Sequence, residues 1–200
     1  MTMDKAPYHH GDLKNALIKA GADLLAEEGV NALSLRKVAA RVGVSHSAPY
    51  AHFPDKEALI AAIITEGYRQ LFERIAATVQ ASQSEPSELL MEVACTYVQF
   101  GLEYPAYYKL MFSGVLENEQ AHIDFVRISR ASFGQLVELV QQCQAAGVLP
   151  DGPADVLAVS VWSLVHGFTS LLLERQISHT IRDRYTLEEL LRQTLEPITR

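Results

Sequence analysis

Every strongly periodic segment of this chain repeats its apolar residues at helical spacing, and no stretch alternates cleanly enough to make a half-buried strand. The fold this predicts is all-α, with about nine helices. Leu13, Ala16, Leu17, Ala20 and Leu24 mark a first helix between Asp12 and Glu28, with Gly29 as its left-handed stop. Ser34 can cap a second helix to about Val42; Gly43 turns the chain, and Ser45 or Ser47 can cap a third ending near His52. Pro54 and Asp55 open a long fourth helix, whose stripe of Leu59, Ile63, Tyr68, Leu71, Ile75 and Val79 runs to the break at Ser82–Pro86.

Four further helices are predicted over Leu89–Glu103, Tyr107–Phe112, Glu119–Ala146 and Pro153–Gln176. Thr186 and Glu189 form a capping box for the last, whose Leu187, Leu190, Leu191, Leu195 and Ile198 share a face. Val156–Leu173 carries no formal charge, yet it contains three serines, His166, Gly167 and Thr169 and lacks basic flanks. A buried helix explains it better than a membrane span. The polar, charged first ten residues lack a secretory h-region, which with the unpaired spacing of Cys95 and Cys143 places the expected chain in the cytoplasm, without disulfides.

The net charge of −7 argues against a nucleic-acid partner until its distribution is considered. Residues 1–56 carry seven Lys and Arg against six acids, and the remaining residues ten against eighteen. Between Gly29 and Pro54 there is no Asp or Glu, while Arg36, Lys37, Arg41, His46 and His52 fall inside that window. A local cationic face is expected there.

The same window holds a helix-turn-helix pattern. Val38, Val42, Val44 and Phe53 can fill the angle between the second and third helices, and small Ala39 lets them approach. In such a unit the second helix enters the major groove, its leading side chains meeting base edges and their neighbours meeting phosphates. Ser45, His46 and Ser47 stand at that leading end, and Tyr50, His52 and Lys56 supply a hydroxyl, an imidazole and an ammonium for the flanking backbone.

The run from Gly43 to Leu59, GVSHSAPYAHFPDKEAL, resembles the signature of the tetracycline-repressor (TetR/AcrR) family of bacterial transcription regulators. Its setting is similar too: Glu27-Glu28-Gly29 and then Leu33–Ala39 precede it, and Tyr8–Leu13 resembles the opening of one branch. The resemblance implies a DNA-binding domain at 1–55 and an effector-binding, dimerising domain at 56–200. It also implies a homodimer that binds a palindromic double-stranded operator and is released by a small molecule, most simply as a repressor. By motif position Ser45, His46, Ser47 and Ala48 would face bases; Arg36, Tyr50, His52 and Lys56 would hold phosphates. Pro49 stands where many members have leucine; lacking an N–H, it fits only the first turn of a helix.

The segment Val161–Phe168 is similar to the Trp-His-Gly element of one C-terminal domain type in this family. On a helical wheel Ser160, Ser163, Gly167 and Ser170 form a small-residue stripe that lets another helix approach, expected to be the symmetry mate together with Leu187 and Leu191 of the last helix. Met91, Cys95, Phe100, Tyr104, Tyr107, Tyr108, Met111, Phe112, Trp162 and His166 are the candidates for an effector cavity, competing with ordinary core roles.

No GxSxG, HExxH or Gly-rich phosphate loop is present, so neither an enzyme nor a cofactor or metal site is indicated; adjacent His9 and His10 do not make a metal site alone. The alternative is an all-helical ligand-binding or enzymatic protein whose helix-turn-helix is only architectural.

Overall fold

A computed structural model describes residues 13–199; Tyr8–Asp12 of the family-like opening and the His9-His10 pair lie outside the described residues. Nine α-helices and no strand occur among the described residues: α1 (Leu13–Glu28), α2 (Leu35–Val42), α3 (Lys56–Ala81), α4 (Pro86–Glu103), α5 (Pro105–Met111), α6 (Ile123–Ala145), α7 (Ala154–Leu173), α8 (His179–Arg182) and α9 (Leu187–Leu195). The all-α expectation is met.

Capping chemistry sets most boundaries. Ser34 accepts from the Lys37 N–H at the start of α2, Asp55 accepts from the Ala58 N–H at the start of α3, and Thr186 with Glu189 forms the reciprocal box at α9. The segment expected as a third helix is instead a 3-10 turn over Ala48–Ala51. Pro49 has no N–H to give an α-helical ladder, and Ala48, Tyr50 and His52 bond carbonyls three residues back. The helix expected from Glu119 is divided: Glu119–Ala121 is 3-10, and α6 restarts at Ile123. Four-residue α8 is additional to the elements expected from periodicity.

One apolar cluster runs through the molecule. Leu17, Leu33, Val38, Leu59 and Ile63 fill it beneath α1 and α2; Val98, Phe100, Val140, Val161, Leu191 and Leu195 fill it among α4, α6, α7 and α9. α3 belongs to both ends, packing on α1 and on α4, α5 and α6. Three helical glycines permit close crossings: a Cβ on Gly21 would lie 2.7 Å from Ile63 Cδ1, one on Gly67 2.7 Å from Met111 Sδ, and one on Gly101 2.6 Å from Thr169 Cγ2. α7 is long and apolar enough to cross a membrane by composition, but it packs on α4, α6 and α9, burying Ala158, Val161, Val165, Phe168 and Thr169.

Candidate nucleic-acid interface and internal cavity

The interface starts at Gly43. Its φ of 78° lies in the left-handed region and lets its N–H close α2 on the Ala39 and Ala40 carbonyls, turning the chain sharply. Val38, Ala39, Pro49 and Phe53 are buried in the angle, which turns Ser45, His46, Ser47, Tyr50 and His52 outward. Tyr50 is 53% exposed, unusual for a tyrosine with a packed core beneath it. The Ser45 and Ser47 hydroxyls lie 3.1 Å apart, and Ala48 is half-buried behind them.

The expected cationic face is partly neutralised by the fold. Glu27 and Glu28, outside the acid-free window in sequence, meet it in space. Arg41 donates to both Glu27 oxygens and Lys37 Nζ lies 2.6 Å from Glu28 Oε2. The Arg41 hydrogen bonds hold the Glu27 carboxyl below its usual range. Both pairs are solvent-exposed and therefore weak enough to exchange partners. Arg36 is exposed and has no ion pair among the described residues. Lys56, expected on phosphate, donates instead to the Val30 carbonyl at 2.9 Å, pinning the loop after α1 to the start of α3.

A cavity of about 230 Å³ lies among α3, α4, α6 and α7. α3 supplies Tyr68, Leu71 and Ile75, and α4 supplies Leu90, Val93, Ala94 and Tyr97. Phe112, just past α5, joins Ser129, Ser132, Phe133 and Leu136 of α6 and Val161, Trp162 and Val165 of α7.

Of the candidates named from sequence, Phe112 and Trp162 line this space, and His166 sits behind that wall, its ring 4.6 Å from the Phe112 ring. Met91, Phe100, Tyr108 and Met111 are core. Tyr104 and Tyr107 border a charged external groove with Glu66, Arg69 and Arg74, and Cys95 borders a shallow surface depression near Ser82–Ser84. Periodicity locates an apolar helix but not its rotation, which decides whether a ring faces the core, the cavity or solvent. Tyr68 and Tyr97 also line the cavity, and the same undetermined rotation hides them in the sequence. A hydroxyl-bearing ring inside so apolar a stretch as Val93–Val98 is the signal that marks Tyr97.

Tyr97 and His166 belong to one buried polar network. Trp162 Nε1 donates to the Tyr97 hydroxyl at 3.1 Å; His166 Nδ1 lies 2.9 Å from that hydroxyl and 2.8 Å from the Tyr108 hydroxyl. Indole N–H can only donate, so the Tyr97 oxygen accepts it and keeps a second lone pair and its own proton for the His166 contact. Tyr108 donates to the His166 carbonyl at 3.1 Å. Burial pushes the Tyr97 and Tyr108 hydroxyls up and the His166 imidazole down, keeping all three neutral.

The outward face of α7 carries Ser160 and Ser163, whose hydroxyls donate to the Val156 and Val159 carbonyls of their own helix. Val156 (61%), Val159 and Leu171 are exposed beside them, and a Cβ on Gly167 would meet nothing within 4 Å. Ser170 is half-buried, and Leu187 is exposed at the start of α9. Leu191 corrects the sequence expectation: it is 0% exposed, turned into the protomer's own core where α9 packs on α4 and α7, and it has no surface to offer a second chain.

An exposed helix-turn-helix edge on a helical body with an internal apolar cavity defines a DNA-binding regulator. Residues 17–63 match the bacterial regulatory proteins of the tetR family, and residues 90–195 match the tetracyclin repressor-like C-terminal domain. The chain belongs to the TetR family of transcriptional regulators, and its relatives are regulators, not enzymes. An uncharacterized HTH-type transcriptional regulator of Bacillus subtilis, YobS, is 25% identical over 181 residues, 90% of this chain and 87% of that protein. The class A tetracycline repressor from an Escherichia coli transposon is 49% identical over 49 residues, 24% of this chain and 23% of that one. A Rhodococcus protein of unknown function superposes with a TM-score of 0.82 at 28% identity, covering 98% of this chain and 100% of that one.

Proposed function

We propose that this regulator is a cytoplasmic repressor that binds a palindromic operator as a homodimer and is released by a small molecule occupying the α3–α4–α6–α7 cavity. Residues 1–55 form the reading unit, and 56–200 sense the effector and dimerise. Ser45, His46, Ser47 and Ala48 lie against bases; Arg36, Tyr50 and His52 hold phosphates, and Lys56 orders the reading unit or reaches phosphate when it leaves Val30. The partner subunit is met through the α7 face of Ser160, Ser163 and Gly167, flanked by Ser170 and Leu187.

The observation that carries this reading is α3 itself. It is capped by Asp55, two residues past the reading unit's buried Phe53, and its twenty-six residues span about 39 Å at 1.5 Å each. The same helix supplies Tyr68, Leu71 and Ile75 to the cavity wall. A ligand there bears directly on the element that positions the reading edge. It releases DNA only if it binds the released state more tightly than the bound one. Selection from random duplexes by the full-length protein should return a palindrome with half-sites about 34–36 Å apart. Recovery of no preferred duplex would overturn operator recognition.

A further inference from the structure

We propose that the cavity takes a compact, uncharged, largely hydrocarbon molecule of about ten non-hydrogen atoms carrying a single hydrogen-bond donor, and that it rejects carboxylates of the same skeleton. This names the chemistry of the effector and rests on the cavity being the effector site.

Size comes first. An apolar cavity of roughly 150 Å³ is known to accept benzene, so about 230 Å³ holds a substituted ring or short branched chain and little more. Polarity comes next. No Asp, Glu, Lys or Arg lines the space. Ser129 and Ser132 spend their protons on the Val126 and Ile128 carbonyls of their own helix. Trp162 spends its proton on Tyr97, whose hydroxyl is itself engaged with His166 Nδ1 at 2.9 Å. What remains at the wall is oxygen lone pairs, on Ser129, Ser132 and Tyr97, and one hydroxyl, Tyr68, with no hydrogen-bond partner among the described residues.

Such a wall accepts a donor and has almost nothing to give an anion. A carboxylate presents about four acceptor sites, and with no cation and one free donor its desolvation is not repaid. A neutral hydroxyl can place its proton on one of the lone pairs and its oxygen against Tyr68. The rest of the molecule meets Leu71, Val93, Leu136 and Val161, which reward hydrocarbon.

The chain's one tryptophan, Trp162, is in the wall and reports occupancy by its fluorescence. The probes are p-cymene, cuminyl alcohol and cuminate at pH 8, one carbon skeleton ending in methyl, hydroxymethyl or carboxylate, titrated into the full-length protein. Cuminyl alcohol should bind tightest, p-cymene up to about tenfold more weakly for want of one hydrogen bond, and cuminate at least about 100-fold more weakly. Tyr97→Phe should narrow the gap between alcohol and hydrocarbon. Ala94→Leu, which fills the space from α4, should abolish binding of both. Equal or tighter binding of cuminate, or no binding of any probe, overturns the assignment.

Operator release is scored separately. Cuminyl alcohol that binds the wall without releasing DNA counts against the cavity as the effector site and leaves its ligand chemistry standing. An anion that releases DNA from the wild type but not from Ala94→Leu does the reverse.

Discussion

Arg36 and Lys56 look interchangeable in sequence, two cations flanking the reading segment, but the fold gives them different work. Arg36 is exposed with no ion pair among the described residues, whereas the Lys56 ammonium is occupied by the Val30 carbonyl. Arg36→Ala should therefore lower the slope of log K against log salt by about 0.9 for each subunit that loses a phosphate contact, with no change in melting temperature. Lys56→Ala should lower the melting temperature as well, because the Val30 carbonyl loses its partner. Fluorescence-anisotropy titrations over a range of salt check the first, and calorimetry the second. His166 carries a second residue-scale prediction. Burial lowers its pKa below the ordinary 6.5, so the folded state prefers it neutral and the unfolded chain binds the proton more readily. Its contribution is fully present above pH 6.5 and is lost as pH falls through the lowered value. Wild-type stability should fall between neutral and acidic pH more steeply than that of His166→Gln, measured by urea unfolding.

Among elements, the short α5 joins α1 of the reading unit to the cavity wall. It packs on α1, α3 and α4, puts Tyr108 in the polar network, and is followed directly by Phe112 in the cavity wall. Its contact with α3 depends on Gly67. A methyl there would meet Met111 Sδ at 2.7 Å and both Met111 Cγ and Tyr107 Cδ1 at 3.1 Å. The thioether must swing aside and the Tyr107 ring must give by a few tenths of an ångström, both on the face by which α5 meets α3. Gly67→Ala should cost about 1–3 kcal/mol and, because α1 rides on α5, also weaken operator binding at temperatures where the protein remains folded. Unchanged affinity in a folded variant would remove α5 from the route between cavity and reading edge. Sequence showed these elements unevenly, for a physical reason. Ser34, Gly43, Asp55 and the Thr186–Glu189 box act on their own backbone within a few residues, so the starts of α2, α3 and α9 were legible. The 3-10 form of Ala48–Ala51 was legible only as an oddity at Pro49, and α8 is too short to show a period. The outward reading edge was visible in its motif, while the pairing of Arg41 and Lys37 by Glu27 and Glu28 required α1 to fold back over α2. The cavity was least legible, since the rotation of four helices sets which of ten similar side chains face it.

At the scale of the whole molecule the protomer leaves α7 unfinished. Val156, Val159 and Leu171 are exposed on a helix whose opposite side is core, and the serines between them satisfy their hydroxyls internally. Covering that face with a second copy removes apolar surface from water at about 25 cal/mol per Å², and a twofold contact brings two reading units onto one DNA face. Gly167 separates this account from a merely structural one. Inside the protomer a Cβ at this position meets nothing within 4 Å, so Gly167→Leu has space, and replacing a helical glycine removes a residue of poor helix propensity. The isolated fold should lose nothing. Across a close helix contact the same leucine would collide with the partner's stripe and hold the helices apart. Sedimentation should therefore show Gly167→Leu shifted to monomer at concentrations where the wild type is dimeric, with helix content retained and operator affinity reduced, because each reading unit then binds its half-site alone. A variant that stays dimeric and binds DNA as the wild type does would move the subunit contact elsewhere. The exposed valines of α7 would then need a different partner.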